Sequence, residues 1–344
     1  MSEAKMTIAQ MVVFLAKAIA ARLPVLITGA PGIGKSDLID QSARTAGADV
    51  ILSHPAVSDP TDAKGLPWVV DGRATFLPFG ELNRAITADR PTVWFLDDLG
   101  QATPAVQASF MQLLLARRVN GHAISDHVTF IAATNRRTDR AGVSGILEPV
   151  KSRCVSIVEL VPDVDAWCTW ALDHDVPPEL IAFLRFKPDL LCAFTASNDL
   201  VNSPVPRTWA HAAKILNLGL PADVQHAALA GAVGDAAATE LLAFLRLYAQ
   251  LPNIDQILLT PTTAPIPTAP ASLYAVASAL AYRANKGNFD RIAQYCQRLM
   301  TSHGEFAALC VRDCVRRQPE VTQTTAYVRL AVGDFGQLIS GGNR

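Results

Sequence analysis

Two periods of apolar residues alternate along this chain. Pro24–Thr28, Thr92–Leu96 and His127–Ala133 are short, nearly unbroken apolar runs, the pattern of strands buried on both faces of a parallel sheet. Thr7–Arg22 and Lys35–Ala46 instead carry apolar residues at the spacing of one helix face. Thr7 and Gln10 have capping-box spacing, in which hydroxyl and amide each satisfy a backbone N–H at the helix start, and Met6 with Met11 fits a hydrophobic staple. From Val161 onward the pattern is helical: 163–174, 178–186, 206–218, 222–233 and 236–251, then 272–284, 289–301 and 305–317. Five prolines (Pro252, Pro261, Pro265, Pro267, Pro270) interrupt this series, so residues 251–271 are expected to be extended or looped. An α/β core over 1–160 followed by helices over 161–250, a proline-rich connector over 251–271 and a helical region over 272–344 is the expected organisation.

Two hairpins complete the pattern. Asp71-Gly72 lies between Trp68–Val70 and Arg73–Phe76, and Asn120-Gly121 between Arg118-Val119 and His122–Ile124, both dipeptides suited to tight type I′ turns.

Composition narrows the classes. The 344 residues are 50 % hydrophobic and 18 % charged, which excludes a largely disordered chain, and 30 basic against 31 acidic side chains give no bulk attraction to polyanions. The local exception is Arg136–Arg153, where Arg136, Arg137, Arg140, Lys151 and Arg153 face only Asp139 and Glu148. Six cysteines without a C-x-x-C pair indicate reduced, buried thiols, and Cys310 with Cys314, Trp167, Trp170 and Trp209 read as helical core. The apolar run Met11–Ala21 is broken by Lys17 and is too short to span a bilayer, so a cytoplasmic protein without a membrane segment is expected.

The candidate chemistry sits at the strand ends. Gly29-Ala30-Pro31-Gly32-Ile33-Gly34-Lys35-Ser36 satisfies G-x-x-x-x-G-K-[ST] between a strand and a helix, the context in which backbone N–H groups cradle phosphates. Lys35 is then expected to reach the β- and γ-phosphates and Ser36 to ligate Mg²⁺. The strand Thr92–Leu96 ends in Asp97-Asp98, with Asp97 expected to hold the metal and Asp98 to polarise an attacking water. Neighbouring carboxylates on a strand point to opposite sides, so only one is expected to face the metal. Asn135, after the third strand, lies beside this pair if the strands are neighbours.

Taken in order, these motifs resemble the AAA+ ATPases, and more narrowly the MoxR-like group of the helix-2-insert clade in the dynein-related subfamily. The resemblance spans Thr7 to Leu218. Gly29–Ser36 resembles Walker A, Phe95–Asp98 Walker B and Ala133–Asn135 sensor 1. Leu147–Arg153 resembles the segment that ends in the arginine finger, with Arg137 and Arg140 as competitors to Arg153, and Pro204–Trp209 resembles the start of the sensor 2 helix, which implies that Arg207 contacts the γ-phosphate. The Asp71-Gly72 and Asn120-Gly121 hairpins fall where the helix-2 insert and the pre-sensor-1 hairpin belong, and the first three helices after Val161 match the lid. Asp98 departs from the usual Glu by one methylene, and Cys154 replaces the aromatic that commonly follows the finger.

The resemblance implies a P-loop parallel-sheet core with a helical lid and an added C-terminal helical region. It also implies ATP and Mg²⁺ as cofactors, a homo-oligomeric ring, commonly a hexamer, and a protein substrate or a von Willebrand factor A domain partner. An AAA+ motor or loader on nucleic acid is disfavoured by the neutral charge balance. A P-loop kinase of a small molecule gives no account of the series Asn135, Arg153 and Arg207.

Overall fold

The computed structural model describes residues 4–139, 145–197, 199–251, 253–332 and 336, so Arg140 and Pro252 lie outside the described residues. Two compact units are present, Met1–Asp163 with Phe194–Leu200, and Val164–Ala193 with Val201–Arg344.

The first unit begins with β1 (Lys5–Met6), α1 (Ile8–Ala20), β2 (Val25–Thr28), α2 (Lys35–Thr45) and β3 (Asp49–Ser53). Then come α3 (Pro60–Lys64), β4 (Leu66–Val70), β5 (Arg73–Leu77), α4 (Gly80–Thr87), β6 (Thr92–Leu96) and α5 (Pro104–Ala116). It closes with β7 (Arg118–Val119), β8 (His122–Ala123), β9 (Val128–Thr134), α6 (Glu148–Lys151) and β10 (Ser156–Leu160). Six strands form one parallel sheet in the order β1-β10-β2-β9-β6-β3. The strand that feeds the glycine-rich turn therefore lies between β9 and β10, and β9 separates it from β6, so the ends of all three of the expected site strands are adjacent.

Local chemistry sets the element ends. The Thr7 hydroxyl accepts from the Gln10 N–H at 3.4 Å while the Gln10 carboxamide accepts from the Thr7 N–H at 3.0 Å, the reciprocal cap expected of α1. Thr103 caps α5 by accepting from Val106 N, with Pro104 at the first helical position, where no N–H is needed. Trp94 anchors the sheet core. It is fully buried, stacks on Phe130 at 5.3 Å, meets Phe110 edge-on at 6.0 Å, and its indole N–H donates to Ser53 Oγ at 2.8 Å. Both hairpins have positive φ at each turn residue, 49° and 73° at Asp71-Gly72 and 47° and 88° at Asn120-Gly121, as type I′ turns require. They are bonded to one another's surroundings: the Asn120 carboxamide donates to Lys64 O at 2.8 Å, and His122 Nε2 donates to Phe76 O at 2.9 Å.

The second unit holds α7 (Val164–Leu172), α8 (Pro178–Phe186), α9 (Pro206–Leu216), α10 (Ala222–Val233), α11 (Asp235–Ala249), α12 (Ile254–Leu259), α13 (Pro270–Arg283), α14 (Phe289–Arg317) and α15 (Thr325–Val332). Two sequence expectations change here, and one break is kept. Residues 251–271 contain α12 instead of continuous loop, because Asn253 accepts from Asp255 N at its start, Ile257 is buried, and no proline falls between 253 and 260. The expected break between 289–301 and 305–317 is present as a kink inside α14, where His303 leaves helical backbone (φ −144°, ψ 56°). Trp167 and Trp209 are core residues, but Trp170 is 38 % exposed and stacks on His174 at 4.4 Å.

Helix α13 ties this unit together. Its Ala275 belongs to the buried cluster that holds Trp167, Phe183, Trp209 and Phe244, while its Leu273, Val276 and Leu280 belong to the one that holds Phe289, Tyr295 and Cys310. A buried ion pair joins α8 to α14: Arg185 Nη2 lies 3.0 Å from Asp313 Oδ1 and Nη1 2.5 Å from Oδ2. Burial opposes the guanidinium charge, yet the Asp313 carboxylate outweighs it and holds Arg185 above its ordinary range. All six cysteines are free thiols. Among the described residues, no helix is long and apolar enough to cross a membrane.

Candidate nucleotide site

The site is built at the carboxyl ends of β2, β6 and β9, where parallel sheets of this kind bind ligands. The glycine-rich turn leaves β2 and enters α2 at Lys35, so the first N–H groups of an eleven-residue helix face the turn. Gly29 is forced by space: a Cβ there would lie 2.5 Å from Ile33 Cδ1 and 3.0 Å from Leu160 O. Gly34 is forced by conformation, with φ 90° at the helix N-cap. Ala30 and Ile33 are buried, whereas Pro31 and Gly32 are partly open at the rim of the turn.

Hydrogen bonds connect the three motifs. Lys35 is 8 % exposed, and its Nζ donates to Asn135 Oδ1 at 2.7 Å, Ala30 O at 3.0 Å and Gly29 O at 3.2 Å. Asn135, 6 % exposed, donates from Nδ2 to Asp98 Oδ1 at 3.1 Å. Ser36 Oγ donates to Asp97 Oδ2 at 2.9 Å, and Asp97 Oδ1 accepts from Asp98 N at 3.0 Å. The alternation rule does not govern the acid pair, because β6 ends at Leu96 and Asp98 turns into left-handed backbone (φ 53°, ψ 34°). Both carboxylates therefore border the phosphate turn, Asp97 through Ser36 and Asp98 through Asn135.

Residues 24–154 match the family model of the AAA domain, dynein-related subfamily. That stretch is similar to an AAA domain. Among solved structures, the chain is similar to a RuvB mutant from Thermotoga maritima, at 16 % identity over 79 % of this chain and 81 % of that one, with a TM-score of 0.42. It is also similar to NtrX from Brucella abortus in complex with ADP, at 13 % identity over 93 % of this chain and 65 % of that one, with a TM-score of 0.43. No curated protein matches the chain.

The donor set of this site fits a magnesium ion. Ser36 Oγ and Asp97 Oδ2 are paired hard oxygens beside the phosphate turn, the one or two protein ligands that Mg²⁺ takes while substrate phosphates and waters fill the rest of its shell.

The basic cluster divides into paired and unpaired members. Arg136 is bound by Asp139 and by Glu159 of β10, and Lys151 by Glu148 at 2.6 Å, so two of the five cations are neutralised within the first unit. Arg137 is exposed. Arg153 donates from Nη1 to Pro149 O, one turn back, and its Nε has no hydrogen-bond partner among the described residues. Arg207 is exposed in the first turn of α9 and belongs to the second unit. Cys154 is half-buried against the core that contains Val150 and Leu99, and burial pushes its thiol up to about 11. Sequence reasoning missed Glu159. The signal was a single acid in an otherwise apolar strand, SIVEL, whose partner only sheet order reveals.

Proposed function

We propose that this chain is a ring-forming, Mg²⁺-dependent ATPase of the MoxR-like type that couples ATP binding and hydrolysis to the remodelling or activation of a protein partner. One observation carries the ATPase reading: Lys35, Asn135 and Asp98 form an unbroken hydrogen-bond chain, with Ser36 and Asp97 paired beside it, although these residues are drawn from three distant parts of the sequence. A turn that merely closed a loop has no use for a buried ammonium bonded to the residue that ends a strand 100 positions away.

In this reading the turn N–H groups and the start of α2 hold the triphosphate, and Lys35 exchanges its carbonyl acceptors for phosphate oxygens. Ser36 and Asp97 would hold Mg²⁺, which would supply neutralisation of phosphate charge. Water adds to the γ-phosphorus, the bond to the β–γ bridging oxygen breaks to release ADP, and the water proton goes to Asp98, with Asn135 orienting the water. Arg153 is proposed to act from a neighbouring subunit and Arg207 from a lid within 161–250. The ring, the hexamer, a von Willebrand factor A domain partner and the cytoplasmic setting rest on the family resemblance. Neutralisation of Arg136 and Lys151 inside the domain further weakens a nucleic-acid reading.

Magnesium-dependent phosphate release tests the reading. Lys35→Ala is expected to weaken nucleotide binding by roughly 10- to 100-fold, the value of one or two charge-assisted hydrogen bonds. Asp98→Asn is expected to bind ATP normally while kcat falls about 10²- to 10⁴-fold. Arg153→Ala alone should be inactive, and mixing it with Asp98→Asn should restore activity by rebuilding intact interfaces. Full activity of pure Arg153→Ala removes the trans assignment, and a wild-type protein without ATPase activity removes the reading itself.

A further inference from the structure

Arg136 follows Asn135 directly, yet its guanidinium is taken up by two carboxylates. Its Nε and Nη2 donate to Asp139 at 3.0 and 2.9 Å, its Nη1 donates to Glu159 Oε1 at 3.0 Å, and its own backbone N–H donates to Asp139 Oδ2 at 3.2 Å. Both carboxylates are desolvated, with side-chain exposures of 4 % and 10 %. One cation against two anions gives this cluster a formal charge of −1, which repels a phosphate and argues against Arg136 as a finger.

The sheet shows what the cluster holds. Glu159, Thr28 and Thr134 are level across β10, β2 and β9, so an arginine leaving β9 and bonding Glu159 bridges two strand spacings, about 10 Å, over the strand that carries the phosphate turn. Leu160, next to Glu159, presses its carbonyl against Gly29, the first residue of that turn. Asp139, for its part, grips both the backbone and the guanidinium of the residue beside Asn135.

We propose that Arg136 is a positioning residue: by joining Asp139 to Glu159 across the end of β2, it fixes the Asn135 carboxamide between Lys35 and Asp98 in the geometry that hydrolysis uses. This rests on the ATPase reading above. Side chains that align reacting groups act through the shell that locks them, and a displacement of about 1 Å at such a group costs about 100-fold in rate.

The test compares Arg136→Met, Arg136→Lys and Glu159→Gln in the full chain, measuring kcat, KM, the Kd for a fluorescent ATP analogue, and thermal melting. Arg136→Met is expected to lower kcat at least about tenfold with the Kd within about threefold of wild type. Arg136→Lys, which keeps the charge but spans less, should recover part of kcat, and Glu159→Gln should lose less than Arg136→Met because the Asp139 contact persists. A loss confined to melting temperature, or a folded Arg136→Met with wild-type kcat, overturns the proposal. If Arg136→Met fails to fold, wild-type kcat in both remaining variants overturns it equally. Rescue of Arg136→Met by mixing with Asp98→Asn subunits would make Arg136 a finger and also overturn the proposal. Absence of hydrolysis by wild type is a different result, which removes the ATPase reading and not the clamp geometry.

Discussion

Asp98 shows how one residue type is fitted to one backbone state. Its left-handed φ of 53° is tolerated by Asp because a short polar side chain bonds locally, whereas longer side chains lack that compensation. The missing methylene relative to the usual Glu is therefore matched to the turn as well as to the chemistry. Replacing it with the longer acid should not be neutral: Asp98→Glu is expected to cost about 1 kcal/mol of stability, read as a lower denaturant midpoint. Its kcat should fall as well, because the longer carboxylate no longer meets Asn135 Nδ2 at the present geometry.

At the scale of elements, the strands and helices were largely legible because their signals are local. The three apolar runs are β2, β6 and β9, and Pro178–Phe186 and Ala222–Val233 are helices at the expected bounds. The type I′ hairpins were also readable, since Asp-Gly and Asn-Gly dictate positive φ by themselves. What the sequence hid depends on neighbours. Glu159 has meaning only through strand order, Trp170 is exposed because its helix presents that side to solvent, and α12 forms in a gap between prolines that composition alone marks as loop. The site was legible as motifs, while the bond from Lys35 to Asn135 was not, because it joins residues 100 positions apart. Trp94 is the element-scale test of the sheet. With its ring packed against Phe110 and Phe130 and its N–H bonded to Ser53, Trp94→Ala should cost about 3–5 kcal/mol by chemical denaturation. Trp94→Phe should cost less, since it keeps most of the ring contacts and loses the hydrogen bond.

For the molecule as a whole, the near-zero net charge conceals internal pairing of opposite kinds. In the first unit, Arg136 and Lys151 are satisfied locally, leaving Arg137 and Arg153 as described cations of the cluster available for other work. In the second unit, Arg185 and Asp313 are each 6 % exposed, and removing one partner strands a buried charge. Arg185→Met is thus expected to lose about 3–5 kcal/mol, and the double variant Arg185→Met with Asp313→Leu to regain most of it, as measured by urea unfolding.

That same pair carries a consequence for synthesis. Asp313 follows Arg185 by 128 residues, so at ribosomal rates of about 5–20 residues per second the arginine waits roughly 6–25 s for its counter-charge. The sheet with the phosphate turn has all its strands by Leu160 and can collapse early, whereas α8 cannot bury its cation until α14 has emerged. A nascent chain stalled between these points would present a finished nucleotide fold tethered to helices that stay open to chaperones and proteases.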